Sequence, residues 1–171
     1  MRTLQRALRA AIFDRKVHRD LFFDADATAD AVLLVAAISA ITYLGVIARV
    51  GLEAFSVTGL FEVIIGGLVA WLILAAGTWL AATKLLQGSG QLQTMMRLHG
   101  HCELPLVLAA FGPWGATVGL VWSAAAKVPA TAEGASLDIV KSAAAVLVGY
   151  ALVVLIRLIF QLPFLALSSI F

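Results

Sequence analysis

The sequence predicts an all-α fold, a polytopic membrane helical bundle, and two observations carry that prediction. Of the 171 residues, 62% are hydrophobic and only 13% are charged, and the mean hydropathy is +1.01. Soluble domains average about 45–50% apolar and 25% charged residues. Apolar runs long enough to cross the hydrocarbon core, about 20 residues, recur along the chain. No polar block is large enough for a separate soluble domain, so we expect residues 24–171 to form a single transmembrane domain.

Residues 1–23 predict a basic amphipathic helix at the membrane interface. Apolar residues recur there at helical spacing, at Leu4, Leu8 and Ile12. The segment also holds half of all lysines and arginines of the chain, namely Arg2, Arg6, Arg9, Arg15, Lys16 and Arg19. Such a helix binds the surface of an anionic leaflet with its apolar side in the lipid. A solvated basic arm that only obeys the positive-inside rule is the alternative, and both interpretations place the N-terminus in the cytoplasm.

The first two membrane-spanning helices are predicted at about 30–50 and 60–86. The first run has no charge between Asp30 and Arg49. The second carries Glu62 near its start and Lys84 near its end, with more than 20 uncharged residues between them. Glycines and alanines in the second run would let another helix backbone approach closely.

Residues 92–128 allow two interpretations. A Gly-Pro-Trp-Gly sequence at 112–115 divides the apolar stretch 104–126, so this stretch is either one kinked span, giving four helices, or part of a hairpin of helices 92–112 and 114–128, giving five. The five-helix arrangement places more lysines and arginines on the side of the N-terminus and therefore obeys the positive-inside rule better. A polar loop over 127–141 then leads into the last helix, 138–165, which contains Arg157.

The polar stretch from Gly88 to Pro105 interrupts this apolar pattern with a defined spacing. Gly88 and Gly90 enclose one residue, Arg97 follows seven residues after Gly90, Gly100 follows three residues later, and Pro105 closes the motif. This spacing resembles the signature of the Yip-one domain family, the Ypt-interacting multi-pass membrane proteins. A downstream Pro/Gly break followed by a tryptophan-containing helix extends the resemblance.

The chain departs from the family pattern in two ways. First, His101 stands where members commonly carry an aromatic residue, and Cys102-Glu103 replaces small neutral residues. Second, the sequence lacks the long region that precedes the first span in the Rab-binding eukaryotic members, and we therefore expect a short, prokaryotic-type relative. The resemblance implies five membrane helices, a cytosolic N-terminus and a function through interaction rather than catalysis. We expect an integral protein of the bacterial cytoplasmic membrane whose partners are anionic lipids and other integral membrane proteins or further copies of itself, with no nucleic acid.

We expect the motif to form the distinctive interaction surface, and the residues assigned to it are Gly88, Gly90, Arg97, His99, Gly100, His101, Glu103 and Pro105. Imidazole, thiolate and carboxylate groups at 99–103 are possible metal ligands, but residues two apart on a helix diverge, so we assign no metal and no cofactor. The glycines lack the third glycine of a dinucleotide-binding loop.

Charged residues within the apolar runs suggest an alternative function. Arg157 has only apolar neighbours in sequence, and Glu62 or Glu103 would be its partner. Ionisable groups at membrane depth often mark a transport path. The chain is therefore interpreted first as a non-enzymatic scaffold, and otherwise as an accessory subunit of a larger membrane complex or a transporter or channel component. No serine or paired carboxylates show the spacing of a catalytic site, so no catalytic residue is assigned.

Overall fold

The computed structural model describes residues 2–168, with side chains described for residues 2–160. Within that part the protein is all-α and contains no strand. The helices are α1 (Arg2–Ala11), α2 (Arg15–Phe23), α3 (Ala27–Val50), α4 (Val57–Leu80), α5 (Leu92–His101), α6 (Pro113–Ala135) and α7 (Ile139–Ser168). The described residues also include short 3-10 helices at Leu52–Ala54 and Leu104–Phe111 and a π-helical turn at Ala81–Leu85.

The N-terminal segment contains two helices, whereas the sequence predicted one over 1–23. The chain turns at Phe13, whose φ is 64°, and Asp14 then caps the second helix by accepting a hydrogen bond from the Lys16 amide at 2.9 Å. An aspartate at this position satisfies a backbone donor that the first turn of a helix leaves free. The capping residue therefore divides the predicted helix.

Three helices are long and apolar enough to cross a membrane within the described residues: Ala27–Val50, Val57–Leu85 and Ile139–Phe160. Less than a third of each span is buried inside the protein. Apolar surface left outside a monomer requires lipid or a partner to cover it. The protein is thus an integral, multi-pass membrane protein.

Between the second and third of these spans, residues 92–135 fold as a hairpin, referred to below as the central hairpin. The chain reverses at Gly112, whose φ of 108° strongly favours glycine. On the two sides of the turn, the carbonyl of Leu108 lies against Gly115 and that of Pro105 against Gly119. This pairing is antiparallel, so the alternative of one kinked span across 104–126 does not apply.

Both arms of the central hairpin differ from their predicted bounds. The first arm, predicted as one helix over 92–112, is α5 followed by a 3-10 helix, because Pro105 has no amide hydrogen to continue the α-helical bonds. The second arm was predicted at 114–128 with a polar loop from residue 127. Instead α6 continues to Ala135 and ends at Ser136 in the left-handed conformation, with φ 54°. Contacts with α2 and α5 stabilise this extra helical segment despite its weak helical composition.

The two ends of the bundle differ in composition. The end that holds α2, the start of α3 and the end of α6 is called the near side below. The opposite end, where Gly112 approaches Arg49 of α3, is called the far side. On the near side, α5 is enclosed by α2, α3, α4 and α6. The largest cluster of buried apolar residues is there: Ala10, Val17, Leu21, Ala27, Leu98, Cys102, Ala126 and Ala130.

Candidate functional site in the polar core of the central hairpin

A buried ion pair joins the two arms of the central hairpin. The Lys127 ammonium of α6 lies 3.1 Å from Oε1 of Glu103, which follows α5. The side chain of Lys127 is 0% exposed and that of Glu103 is 6% exposed. Charges removed from water in this way must be paired and hydrogen-bonded, since an unpaired buried charge is costly. The pair therefore satisfies two groups that would otherwise destabilise the bundle.

Two hydroxyl groups complete the ion pair. Ser123, one turn before Lys127 on the same face of α6, donates to Oε2 of Glu103 at 3.3 Å and accepts from the Lys127 ammonium. The ammonium also lies 3.4 Å from the hydroxyl of Tyr150 and 5.7 Å from the centre of its ring. Tyr150 belongs to α7. The network consequently ties the third membrane span to the hairpin.

A serine beside a lysine can act as a nucleophile and a general base, but this arrangement does not support that chemistry. A lysine base must be deprotonated, whereas the ammonium of Lys127 is held by the carboxylate of Glu103. The Ser123 hydroxyl is itself bonded to the same carboxylate. All three side chains are buried, and no substrate can reach them in this conformation. The cluster is built as a structural ion-pair network.

The three histidines of the chain lie in the same polar core. His99 Nε2 is 2.9 Å from the Thr131 hydroxyl, and His101 Nδ1 is 2.9 Å from the Arg97 carbonyl. All three imidazoles are 0% exposed, and both ring nitrogens of His18 on α2 have no hydrogen-bond partner among the described residues. Within the described part of the chain, no three histidine, cysteine or acidic side chains converge as metal ligands. The Cys102 thiol also has a partner, since it donates to the Ala126 carbonyl at 3.5 Å.

Arg97 connects α5 to the end of α2. Its Nη1 donates to the Phe22 carbonyl at 3.2 Å, and its Nε donates to the Gln93 carbonyl at 3.3 Å. Carbonyls in the last turn of a helix have no intrahelical partner, and a cationic donor there is favourable. The motif arginine thus holds α2 against the hairpin.

The remaining motif residues lie where two parts of the chain pack closely together. Gly90, with φ 123°, approaches the Gly134 carbonyl so closely that a side chain would not fit, and Gly100 packs against Ala31 of α3. Pro105 is buried in the turn between α5 and the 3-10 helix. The predicted interaction surface is therefore mostly interior: of its residues, only Gly88 and Gly90 retain substantial accessibility. The spacing of the motif reflects packing within the chain.

The three charged residues proposed for a transport path do not come together. Glu103 pairs with Lys127, so it is not the partner of Arg157. Arg157 and Glu62 are both exposed on the outside of the bundle, and neither forms an ion pair among the described side chains. The predicted grouping of Arg157, Glu62 and Glu103 is wrong in this structure, because the Glu103 carboxylate is already paired with Lys127.

The sequence interpretation missed Lys127 because a polar run, KVPATAEGASLDIVK, follows from that residue and is typical of a loop. The sequence nevertheless contained a signal for this site. Ser123 and Lys127 are four residues apart, with apolar residues between them, and this spacing places both side chains on one face of a helix. His18 and Tyr150 carried no such signal, since nothing in their local sequence relates them to the hairpin.

Half of the basic N-terminal residues are neutralised within the chain. Arg6 pairs with Asp24 at 2.7 Å, Arg9 with Asp14 at 2.7 Å, and Arg19 with Glu133 at 3.1 Å. The hydrogen bond from Arg9 lowers the pKa of Asp14 below its usual value, and that from Arg6 does the same for the pKa of Asp24. The other half, Arg2, Arg15 and Lys16, is exposed.

Comparisons with known proteins agree with the motif. A protein-family model described as the Yip1 domain matches residues 14–161, which covers α2 to α6 with the whole central hairpin and most of α7. No curated protein matches the chain. No solved structure matches it either.

Proposed function

Because the chain belongs to the Yip1 domain family, we propose that it is a non-enzymatic integral membrane scaffold that acts by contact with partner proteins in the same bilayer. The observation that supports this function most directly is the state of the polar core. Its ammonium, carboxylate and hydroxyl groups are buried and bonded to one another. Groups that are bonded to one another inside the bundle are not free to bind a partner, so recognition is left to the outer faces.

The outer face of α4 is the best candidate for a partner. Among its glycines, Gly67 contacts Ser39 of α3 and Gly77 contacts Gly149 of α7, whereas nothing lies within 4 Å of the position that a Gly66 side chain would occupy. Large apolar side chains surround Gly66, including Ile65 and Val69, which are 57% and 47% exposed. Small residues let helices approach closely in membranes, where van der Waals packing drives their association. The occupant is then a helix of another integral protein or of a second copy of the chain.

This arrangement also suits an accessory subunit of a larger complex, and the same face would then be covered permanently. For either version, the proposed location is the bacterial cytoplasmic membrane with the N-terminus in the cytoplasm. The lysine- and arginine-rich N-terminal segment supports that orientation under the positive-inside rule.

Gly66→Leu tests the proposed face. A leucine enters open space, so we expect the fold to be unchanged, while a partner helix would be displaced by the added bulk. We expect co-purification of membrane partners, measured by mass spectrometry after mild detergent extraction, to fall at least about tenfold, which corresponds to about 1.4 kcal/mol.

Ala151→Leu is the matched control, because Ala151 is an exposed residue of the α7 span. It adds the same apolar bulk on another side of the bundle, and we expect the partners to be retained. Equal recovery of every partner with Gly66→Leu and Ala151→Leu would contradict the assignment of this face.

A further inference from the structure

The first helix lies across the side of the bundle instead of along it. Ala7 packs with Leu34 and Ile38 of α3 and with the start of the 3-10 helix. At the C-terminal end of α1, the Ala11 carbonyl accepts a hydrogen bond from Trp122 Nε1 of α6 at 2.8 Å. The 3-10 helix and Trp122 lie side by side in the hairpin, because Pro105 contacts Gly119 one turn before Trp122. α1 therefore crosses from α3 to α6 at one level of the bundle.

The two flanks of α1 face opposite ends of the bundle. The Arg6 guanidinium pairs at 2.7 Å with Asp24, which directly follows α2, and lies 3.9 Å from Asp30 in the first turn of α3. An α-helix turns about 100° per residue, which places Leu4 and Leu8 roughly 160° from Arg6. Their side chains are 53% and 54% exposed. The arginine flank therefore faces the near side, and the leucine flank faces the direction in which α3 runs into the membrane.

The second helix has a charged outer surface and lies beyond α1 on the near side. Arg19 of α2 pairs with Glu133, which is eleven residues after Trp122 in α6 and so about 16 Å further toward the near side. Arg15, Lys16 and Asp20 are exposed on the same helix. Such a surface is unfavourable in hydrocarbon, at about 2.5–3.5 kcal/mol for each charge. The inner side of α2 covers the near halves of α5 and α6.

We propose that α1 lies in the near leaflet at the boundary between headgroups and acyl chains, and that α2 with the near halves of α5 and α6 forms a cap outside the hydrocarbon. The partner of the leucine flank is the lipid surface. Two observations favour lipid over a protein partner: on the same face of α3 as Leu34 and further into the membrane, Ile41 is 47% exposed, and exposed Arg2 lies on the arginine flank, where it can meet a lipid phosphate. The inference does not depend on the proposed scaffold function.

With this cap, the polar core lies outside the hydrocarbon. Leu98 of α5 and Ala130 of α6 pack with Ala27, which precedes Asp30 in α3. The histidines and Thr131 therefore belong to the cap, and only the apolar tip of the central hairpin, residues 104–122, enters the hydrocarbon. This explains why three other helices qualify as spans by length and apolar composition while α5 and α6 do not.

Spin labels on the full chain test the depth of both helices. Cys102 is first replaced by alanine, and single cysteines are introduced by Leu8→Cys on α1, Lys16→Cys on α2 and Leu44→Cys on α3, all at exposed positions. Each variant is labelled with a nitroxide and reconstituted in two kinds of vesicle. One contains phosphatidylcholine with roughly 30% phosphatidylglycerol, which makes it anionic like a cytoplasmic leaflet, and the other contains phosphatidylcholine alone. Accessibility to oxygen and to a water-soluble nickel complex then reports depth.

We expect the label at position 8 to be oxygen-accessible like the span reference at position 44, and the label at position 16 to be nickel-accessible like a soluble site. Depth at position 8 that persists without phosphatidylglycerol assigns the contact to the apolar flank; loss of depth there assigns it to the arginines, and both results support a lipid surface. A nickel-accessible label at position 8 in both vesicles would overturn the proposal. An oxygen-dominated label at position 16 would equally overturn it, because the cap would then lie in the hydrocarbon.

Discussion

At the scale of single residues, Lys127 and Glu103 show how a membrane bundle accommodates charge. The pair is 3.1 Å apart and is completed by Ser123. Removing two charges from water costs energy that their attraction repays only with good geometry and further hydrogen bonds. The pair is thus less a source of stability than a requirement, since each member makes the other tolerable.

Replacing one member alone therefore has a large cost. We expect Lys127→Met to lower the free energy of unfolding by about 3–5 kcal/mol, because the Glu103 carboxylate is left buried and unpaired. We expect Lys127→Met combined with Glu103→Met to recover most of that loss. Unfolding in mild detergent, followed by circular dichroism, measures both variants.

Lys84→Met is the control for this pair of measurements, because Lys84 is exposed. It removes a lysine without disturbing a buried contact, so we expect a change within about 0.5 kcal/mol. A single Lys127 variant as stable as this control would show that the ion pair does not hold the hairpin together.

His18 introduces a dependence on pH through α2. Burial lowers the pKa of His18 from its usual 6.5 to about 4, while Asp14 and Glu133 favour the charged imidazole and His101 opposes it. Between pH 6.5 and pH 4 the unfolded chain binds a proton that the folded protein does not. Stability contributed by this site is therefore full above pH 6.5 and falls as the pH is lowered toward 4.

We expect the free energy of unfolding of the unchanged protein to drop more steeply over this range than that of His18→Leu, by at most about 1.4 kcal/mol per pH unit. Denaturation in the same detergent at several pH values measures the difference. Acids such as Asp14 are present in both proteins, so their contributions to the pH dependence cancel in this comparison. Parallel pH profiles would contradict a buried neutral imidazole.

At the scale of elements, the turn at Gly112 decides between a hairpin and a single span. The Gly-Pro-Trp-Gly sequence left both possibilities open, because proline and glycine explain a kink as readily as a reversal. A backbone with φ 108° and ψ −171° lies in a region that is essentially restricted to glycine. The reversal therefore depends on this one residue more than on its neighbours.

Gly112→Ala tests that dependence. We expect a loss of about 1–3 kcal/mol in the free energy of unfolding, because the β-carbon strains the turn and meets the Arg49 side chain. Gly66→Ala is the matched comparison, since Gly66 is helical with open space around it, and an alanine there is neutral or stabilising. Equal stability of the two variants would argue against the strained turn.

Element boundaries show what sequence patterns predict and where they stop. The helices predicted at 30–50 and 60–86 correspond closely to α3 and α4, because long uncharged runs depend on local composition alone. The end of α6 does not, since the helical state of 127–135 depends on contacts with α2 and on a carboxylate 24 residues away. Hydrophobic periodicity carries no information about such distant partners.

At the scale of the whole molecule, the family and the membrane location followed from composition and from one motif, and both are confirmed. The role of the motif did not follow. Arg97 and Gly100 were expected on a contact surface, and they are buried against Phe22 and Ala31. A fixed spacing is equally suited to binding a partner and to closing a core, and only the packing of the chain distinguishes the two.

The ion pair between the hairpin arms also has a consequence for how the protein is made. Glu103 is synthesised well before Lys127, and the carboxylate has no ammonium partner until the second arm follows. Packing the first arm against the bundle by itself would bury that carboxylate unpaired, which is costly. The two arms are therefore expected to leave the insertion machinery together as one unit, after the ribosome has completed α6, so the order of synthesis sets the order of assembly.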